Sequence, residues 1–262
     1  MRVLMLSDVY FPRINGVSTS IETFRARLAE HGVGVDLIAP AYGGEEPQPG
    51  IERIPAWRVP GDPEDRMMRP LALDAALRCR AAEGYDLVHV QTPFLAHYAG
   101  VRAARAWGVP VIETYHTFFE EYLFHYVPFA PARWMRALAR RFSRSQGNAV
   151  DAVVVPSSAM RDRLREYGVQ SPLHVLPTGI PLHRFETRDG RAFRDRHGIA
   201  RGRPVALYVG RVAHEKNIDF IIAAMARVHA RLPEALLLIT GEGPARAALE
   251  AEARAFGLGD SV

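Results

Sequence analysis

Short apolar runs alternate with amphipathic helical stretches along this chain, and that rhythm limits the folds open to it more than any other feature. The runs Val3–Val9, Val35–Ala39, Leu87–Gln91, Val111–Tyr115, Ala152–Val155 and His174–Leu176 are rich in branched apolar residues on both faces. Between most of them lie stretches of helical period, Val17–His31, Leu71–Glu83, Leu95–Trp107, Ala132–Asn148 and Ser158–Tyr167. A strand that is apolar on both faces must be covered on both, and helical crossovers supply the cover. The chain is therefore predicted to be α/β, with a parallel sheet between helical layers. The segment Ala41–Arg69 breaks the rhythm, and its prolines and glycines predict a long loop with one edge strand near Arg53–Trp57.

A second rhythm starts after Pro177-Thr178-Gly179-Ile180-Pro181. Val205–Val209 leads to a helix over Asn217–Leu232, and Ala235–Thr240 leads through Gly241-Glu242-Gly243 to a helix over Pro244–Phe256, with Pro244 suited to the first helical position. Two domains follow from this: a Rossmann-like domain over residues 1–177 and an incomplete second one over 178–262. Two parallel strands with their helices leave a sheet edge unpaired and apolar surface uncovered. The reading therefore expects a piece of a longer protein, or a chain completed by another.

Composition narrows the class. At 48% hydrophobic and 24% charged residues, the chain is an ordinary globular protein. Its single cysteine, Cys79, excludes an intramolecular disulfide framework and fits a reducing, cytoplasmic setting. Lying in the helical stretch Leu71–Glu83, Cys79 is expected to be a small buried side chain. No run is long enough to cross a bilayer, and the first apolar run is too short for a signal peptide. The formal charge of +4 tolerates anionic partners without requiring them.

Among the 33 basic residues only Lys216 is a lysine. It lies in Gly210-Arg211-Val212-Ala213-His214-Glu215-Lys216-Asn217, directly after the apolar run Val205–Val209. A strand, a turn carrying two cations and a helix start together make an anion site, because backbone N–H groups and the helix dipole face the same point. Arginine offers a planar fork and lysine a point charge, a combination suited to a pyrophosphate. Near the N-terminus, Asn15-Gly16 opens a helix after the first strand, at the edge where open α/β sheets bind ligands. The same pair also reads as a plain tight turn.

His116 follows Tyr115 at the carboxyl end of a mid-domain strand, where a histidine can hydrogen-bond a sugar or exchange protons near neutral pH. His116 and Glu120 have helical spacing, but no third ligand matches and the chain has no Asp-x-Asp, so no metal is expected. The aromatic run from Tyr115 to Phe129 suits sugar stacking, lipid contact or core. Ala132–Asn148 carries Arg133, Arg136, Arg140, Arg141 and Arg144 around Trp134, Ala137, Leu138 and Phe142. A basic amphipathic helix of that kind suits an anionic membrane surface, and equally an arginine-rich outer face. Nucleic acid is not expected as a partner, because 29 acidic residues offset the arginines and no nucleic-acid module is recognisable.

Taken together, these segments resemble a family 4 glycosyltransferase of the GT-B fold, over essentially the whole chain. The resemblance rests on Asn15-Gly16-Val17-Ser18, Tyr115-His116-Thr117, Pro177-Thr178-Gly179-Ile180, Val209-Gly210-Arg211 with Glu215-Lys216-Asn217, and Gly241-Glu242-Gly243-Pro244. It implies a donor that is a nucleotide-diphosphate sugar of the UDP-glucose or GDP-mannose type, with no further cofactor. Arg211, Lys216 and Gly16 would hold the diphosphate, and His116 would contact the transferring sugar. Gly210, Gly241 and Glu242 would form the donor loop, and Asn15, Tyr115 and Glu120 would face the acceptor. Such enzymes retain anomeric configuration, commonly without a metal. His116-Thr117-Phe118-Phe119-Glu120-Glu121-Tyr122-Leu123 is similar to the stretch in enzymes that glycosylate diacylglycerol or related lipids, which implies a lipid or sugar acceptor and peripheral membrane contact through 132–148.

Two departures qualify the resemblance. Asn15-Gly16 stands where many members have two glycines, and the Glu-x7-Glu motif that holds the donor's sugar would lie beyond Val262. The 262-residue chain is therefore expected to bind a nucleotide sugar poorly and to lack turnover. Two other readings stay open on the sequence. One is a non-catalytic glycosyltransferase-like binding module. The other is a GT-B nucleotide-sugar epimerase, for which Glu113, Glu120 and Glu121 are the nearby acid/base candidates.

Overall fold

The computed structural model describes residues 1–59, 62–116, 132–180, 182, 189–259 and 261–262. The chain divides into two compact units, Met1–Pro181 and Leu182–Val262.

Unit 1 is built on a seven-stranded sheet of order β3-β2-β1-β6-β7-β8-β9, in which every neighbouring pair is parallel. The strands are β1 (Arg2–Leu6), β2 (Gly34–Pro40), β3 (Ile51–Ile54), β6 (Leu87–Val90), β7 (Val111–Thr114), β8 (Ala152–Val155) and β9 (Leu173–Val175). Strand β1 shows why both faces must be covered. Leu4 and Leu6 enter one core with Val88, Val90, Ala99 and Val153, while Val3 and Met5 enter another with Ile21 and Leu37. Helices α1 (Gly16–Glu30), α2 (Pro70–Arg80), α3 (Leu95–Trp107), α4 (Ala132–Gly147) and α5 (Ser158–Glu166) run between the strands. Gly100 lets α3 lie close on the sheet, since a Cβ there would sit 2.7 Å from Val90 Cγ2.

The segment expected to be a long loop with one edge strand near Arg53–Trp57 has that edge strand as β3, at Ile51–Ile54, and folds further. After β3, Pro55 interrupts pairing because it has no N–H to donate. The chain then forms an antiparallel pair of its own, β4 (Ala56–Val59) with β5 (Asp62–Met68). Met68 is fully buried, and Arg69 N–H donates back to the Pro55 carbonyl at 2.8 Å. A further expectation is corrected. Cys79 is exposed, because α2 buries Leu73, Ala76 and Leu77 and turns Cys79 outward. In α4 the face against the core carries Met135, Ala139, Ser143 and Gln146, with Phe142 half-buried beside it. Trp134 and Leu138, one turn apart, are 66% and 56% exposed.

Unit 2 pairs β10 (Val205–Val209) with β11 (Leu236–Thr240) in parallel, through α7 (Ile218–His229) and followed by α8 (Arg246–Ala255). A short helix, α6 (Gly190–Arg196), capped by Asp189, precedes them and was not anticipated. Ile218, Ile222, Met225, Leu237 and Leu249 form the unit's core. Leu207 and Val209 face outward from β10 and are exposed. Pro244 does not start the last helix; α8 begins at Arg246. Ala245 N–H donates to the Val212 carbonyl at 3.1 Å, which holds 244–245 as a turn against the neighbouring loop. Among the described residues no helix is long and apolar enough to cross a membrane.

Candidate functional site

The carboxyl edge of unit 1's sheet gathers polar groups that are far apart in sequence. The strand order reverses direction between β1 and β6, which is where open α/β sheets place a ligand crevice. Asp8 follows β1, Gln91 and Thr92 follow β6, and Tyr115 and His116 follow β7. The Asp8 carboxylate accepts from the Thr92 hydroxyl at 2.8 Å and from Ala96 N–H at 3.2 Å, tying the end of β1 to the first turn of α3. Burial pushes its pKa up to about 6, against the pull of those hydrogen bonds. His116 Nε2–H donates to Gln91 Oε1 at 3.0 Å, which leaves the ring's lone pair on Nδ1. Beneath it His89 meets the Thr114 hydroxyl at 2.7 Å and Phe24 edge-on.

Beside them lies a small cavity of about 20 Å³, lined by Val17, Gln91, Thr92, Glu113, Tyr115 and His116, among others. Val17 is the residue after Gly16, so the start of α1 and His116 share one cavity. Asn15 caps α1, accepting from Ser18 N–H at 2.8 Å through its side chain. At Gly16 a Cβ would meet nothing within 4 Å, so packing does not require glycine there. Tyr115 is buried, with its hydroxyl bonded to Ser143 Oγ at 2.8 Å. Glu120 and the aromatic run after it lie outside the described residues.

Burial lowers the pKa of His116 to about 4 and, with a smaller push from His116, that of His89 to about 3. Both rings are therefore neutral at pH 7. They stabilise the fold fully above their ordinary value near 6.5, and that stability is lost as pH falls toward the folded values. Asp8 acts in the opposite sense. Its ionised form is disfavoured in the fold above about 6, and that penalty is relieved as pH falls toward 3.8. Each histidine alone costs about 1.4 kcal/mol per pH unit between pH 6 and 4, and Asp8 returns a similar amount. A net loss of about 1.4 kcal/mol per unit is expected in that window. His89→Gln removes one of the two histidines, so its stability from urea unfolding should fall less steeply than that of the unaltered chain from pH 6 to 4, by about 1.4 kcal/mol per pH unit. A slope equal to that of the unaltered chain would refute the assignment.

In unit 2 the loops after β10 and β11 are locked together by backbone. Gly210 N–H donates to Thr240 O at 3.0 Å, and Val212 N–H to Glu242 O at 2.9 Å. Gly241 is pressed against the Gly210 carbonyl. Residues His214–Lys216 make a 3-10 turn closed by Asn217, whose left-handed backbone (φ 50°) starts α7. Arg211 and Lys216 are both exposed on this edge, and among the described residues the Lys216 ammonium has no ion-pair partner. The Arg211 carbonyl accepts from the Tyr208 hydroxyl at 3.1 Å. Glu242 is also exposed and accepts from Arg246 at 2.8 Å. The arrangement presents cations beside a rigid, glycine-lined backbone.

The family described as Glycosyltransferase Family 4 matches residues 14–184. The chain belongs to glycosyltransferase family 4. The family described as Glycosyl transferases group 1 matches residues 189–262. Among curated relatives, an alpha-monoglucosyldiacylglycerol synthase of Streptococcus pneumoniae is 31% identical, over 100% of this chain and 60% of its own length. A GDP-mannose-dependent alpha-mannosyltransferase of Mycobacterium tuberculosis is 28% identical, over 95% of this chain and 65% of its own. This family 4 chain thus spans about 60–65% of the length of those two relatives. Of solved structures, sucrose-phosphate synthase from Thermosynechococcus elongatus aligns with a TM-score of 0.74 at 20% identity, covering 100% of this chain and 69% of that one. HepE of Anabaena, solved with UDP-glucose, aligns with a TM-score of 0.74 at 16% identity, covering 100% and 68%. The fold is GT-B.

The family resemblance reached Gly16, His116, Arg211 and Lys216, but the residues that surround His116 went unread. Asp8, His89, Gln91 and His97 each sit among apolar neighbours in sequence, and Glu113 stood out only as an acid/base candidate. The available signal was a polar residue at or just past the end of each apolar run.

Proposed function

We propose that this family 4 chain carries out, or forms part of a protein that carries out, retaining transfer of a hexose from a nucleotide-diphosphate sugar to a lipid or sugar acceptor. The observation that carries this reading is the exposed Lys216 ammonium, which no carboxylate among the described residues neutralises, on the same loop as Arg211. Cleaving a glycosyl–phosphate bond builds negative charge on the departing diphosphate. Fixed cations there favour the transition state over the ground state. His116, neutral above about pH 4, serves the sugar as a hydrogen-bonding group and not as a resident acid. In this reading Gly16 leaves room for the phosphate or acceptor, and Gly210, Gly241 and Glu242 shape the donor loop.

One relative, named for making monoglucosyldiacylglycerol, supports a glycolipid acceptor, and another, named for its dependence on GDP-mannose, supports a nucleotide-diphosphate sugar donor. Helix α4 suits such an acceptor. Trp134 and Leu138 are exposed one turn apart, and Arg133, Arg136, Arg141 and Arg144 are exposed around them. The decisive assay offers UDP-glucose and GDP-mannose with diacylglycerol in anionic vesicles and measures nucleoside diphosphate released only when acceptor is present. Release that does not depend on acceptor would sink the transferase reading. For the membrane contact, Trp134→Ala with Leu138→Ala should weaken vesicle binding about tenfold, because two exposed apolar side chains no longer enter the interface. Both side chains are outside the core, so the melting temperature should not change. Binding unaffected by the pair would remove α4 from the membrane.

A further inference from the structure

Two buried polar side chains that line unit 1's cavity have hydrogen-bonding atoms left over. Gln91 is 1% exposed; its Oε1 meets His116, and its Nε2 has no partner. Glu113 is 2% exposed, and its Oε2 accepts no hydrogen bond, although His97 Nδ1 lies 3.2 Å away in poor alignment. Buried polar atoms are rarely left unsatisfied, because each costs the full desolvation of that group. A donor and an acceptor left over at the same cavity call for a group that both accepts and donates. The Glu113 carboxylate disfavours an anion, and the Gln91 amide N–H disfavours a cation. The cavity, at about 20 Å³, has room for one water-sized group and not for a whole sugar.

We propose that Gln91 and Glu113 form a specificity subsite for one hydroxyl or hydroxymethyl group of a carbohydrate or polyol ligand. The Gln91 Nε2–H donates to the hydroxyl oxygen, and the hydroxyl O–H donates a hydrogen bond to the Glu113 carboxylate. His97 stands behind Glu113 as its buried partner, and His116, bonded to Gln91 on the other side, fixes the amide's orientation. The subsite rests on the transferase reading for its source of hydroxyls, which is either the donor hexose or a glycerol-type headgroup of the acceptor.

The test follows the ring nitrogens of His116 and His97 by 15N spectroscopy in the full chain. The probes are glucose, mannose, glycerol and a set of monodeoxyhexoses. A saturable shift is expected with a parent ligand, lost with one deoxy analogue. Hexose response points to the donor and glycerol response to the headgroup. Glu113→Gln and Gln91→Met should each weaken the parent ligand about tenfold while leaving the failing deoxy analogue no worse than before. That coupling to one hydroxyl is what a merely structural role would not produce. Glu113→Gln keeps the shape of the side chain, and Gln91→Met provides a second variant should the first fail to fold. Rings that move with none of the ligands, or variants that lose parent and deoxy ligands equally, would overturn the subsite. A chain that shows the coupling yet releases nucleoside diphosphate without dependence on acceptor would overturn the transferase reading and leave the subsite standing.

Discussion

Lys216→Ala is expected to bind UDP or GDP about 10- to 100-fold more weakly than the unaltered chain, with no change in melting temperature. A hydrogen bond to a charged group contributes about 1.5–3 kcal/mol, and tenfold in affinity is about 1.4 kcal/mol. The two halves of the prediction have different causes. Affinity falls because the ammonium is a point charge that a diphosphate can approach. Stability holds because that ammonium is exposed and has no ion-pair partner among the described residues, so its removal breaks nothing. Calorimetric titration with each nucleotide separates the outcomes. Lys216→Arg should recover part of the affinity, since the charge returns with a broader, differently shaped donor. Equal affinity in Lys216→Ala and the unaltered chain would remove the lysine from the donor site. The same titration with adenosine, which lacks phosphates, should be indifferent to residue 216.

Gly241→Ala is expected to destabilise unit 2 by about 3 kcal/mol or more, and to do so without touching unit 1. Gly241 has a φ of +152°, and a Cβ there would overlap the Gly210 carbonyl, a backbone group that cannot rotate away. Opening that contact strains the Gly210 N–H bond to Thr240 and the Val212 N–H bond to Glu242, which hold the two loops together. Amide exchange should therefore speed up along β10 and β11 and stay unchanged along β1 and β6. Gly16→Ala is the matched control. A Cβ at Gly16 meets nothing within 4 Å, so the fold should be unchanged, and any loss would appear only in nucleotide or acceptor binding. Protection of β10 and β11 left intact by Gly241→Ala would mean the loops yield more easily than their packing indicates.

Much of the architecture was legible because it is written locally. Helix α3 spans Leu95–Trp107 as its periodicity foretold, and β10 spans Val205–Val209. Both are set by neighbours a few residues apart: a 3.6-residue repeat, and an apolar run bounded by a proline and a glycine. The failures share a cause as well. The segment after Pro40 reads as a loop with one edge strand, which β3 supplies beside β2, yet β4 and β5 also form because they pair with each other. Cys79 and the Trp134–Leu138 strip were misplaced or left undecided, since a helix's sequence does not say which of its apolar positions will meet the sheet.

The sequence by itself determined a parallel α/β architecture in two parts, and the family to which Gly16, His116, Arg211 and Lys216 belong. Only the tertiary structure decided which polar groups meet. Asp8 reaches Thr92 and the start of α3, Gln91 turns its amide to His116, and Glu113 lies against His97. The reason is geometric. Parallel strands joined by helical crossovers return every carboxyl end to one edge, so residues tens of positions apart become neighbours. No local pattern records that meeting, and burial at that edge makes both His116 and His89 neutral at pH 7.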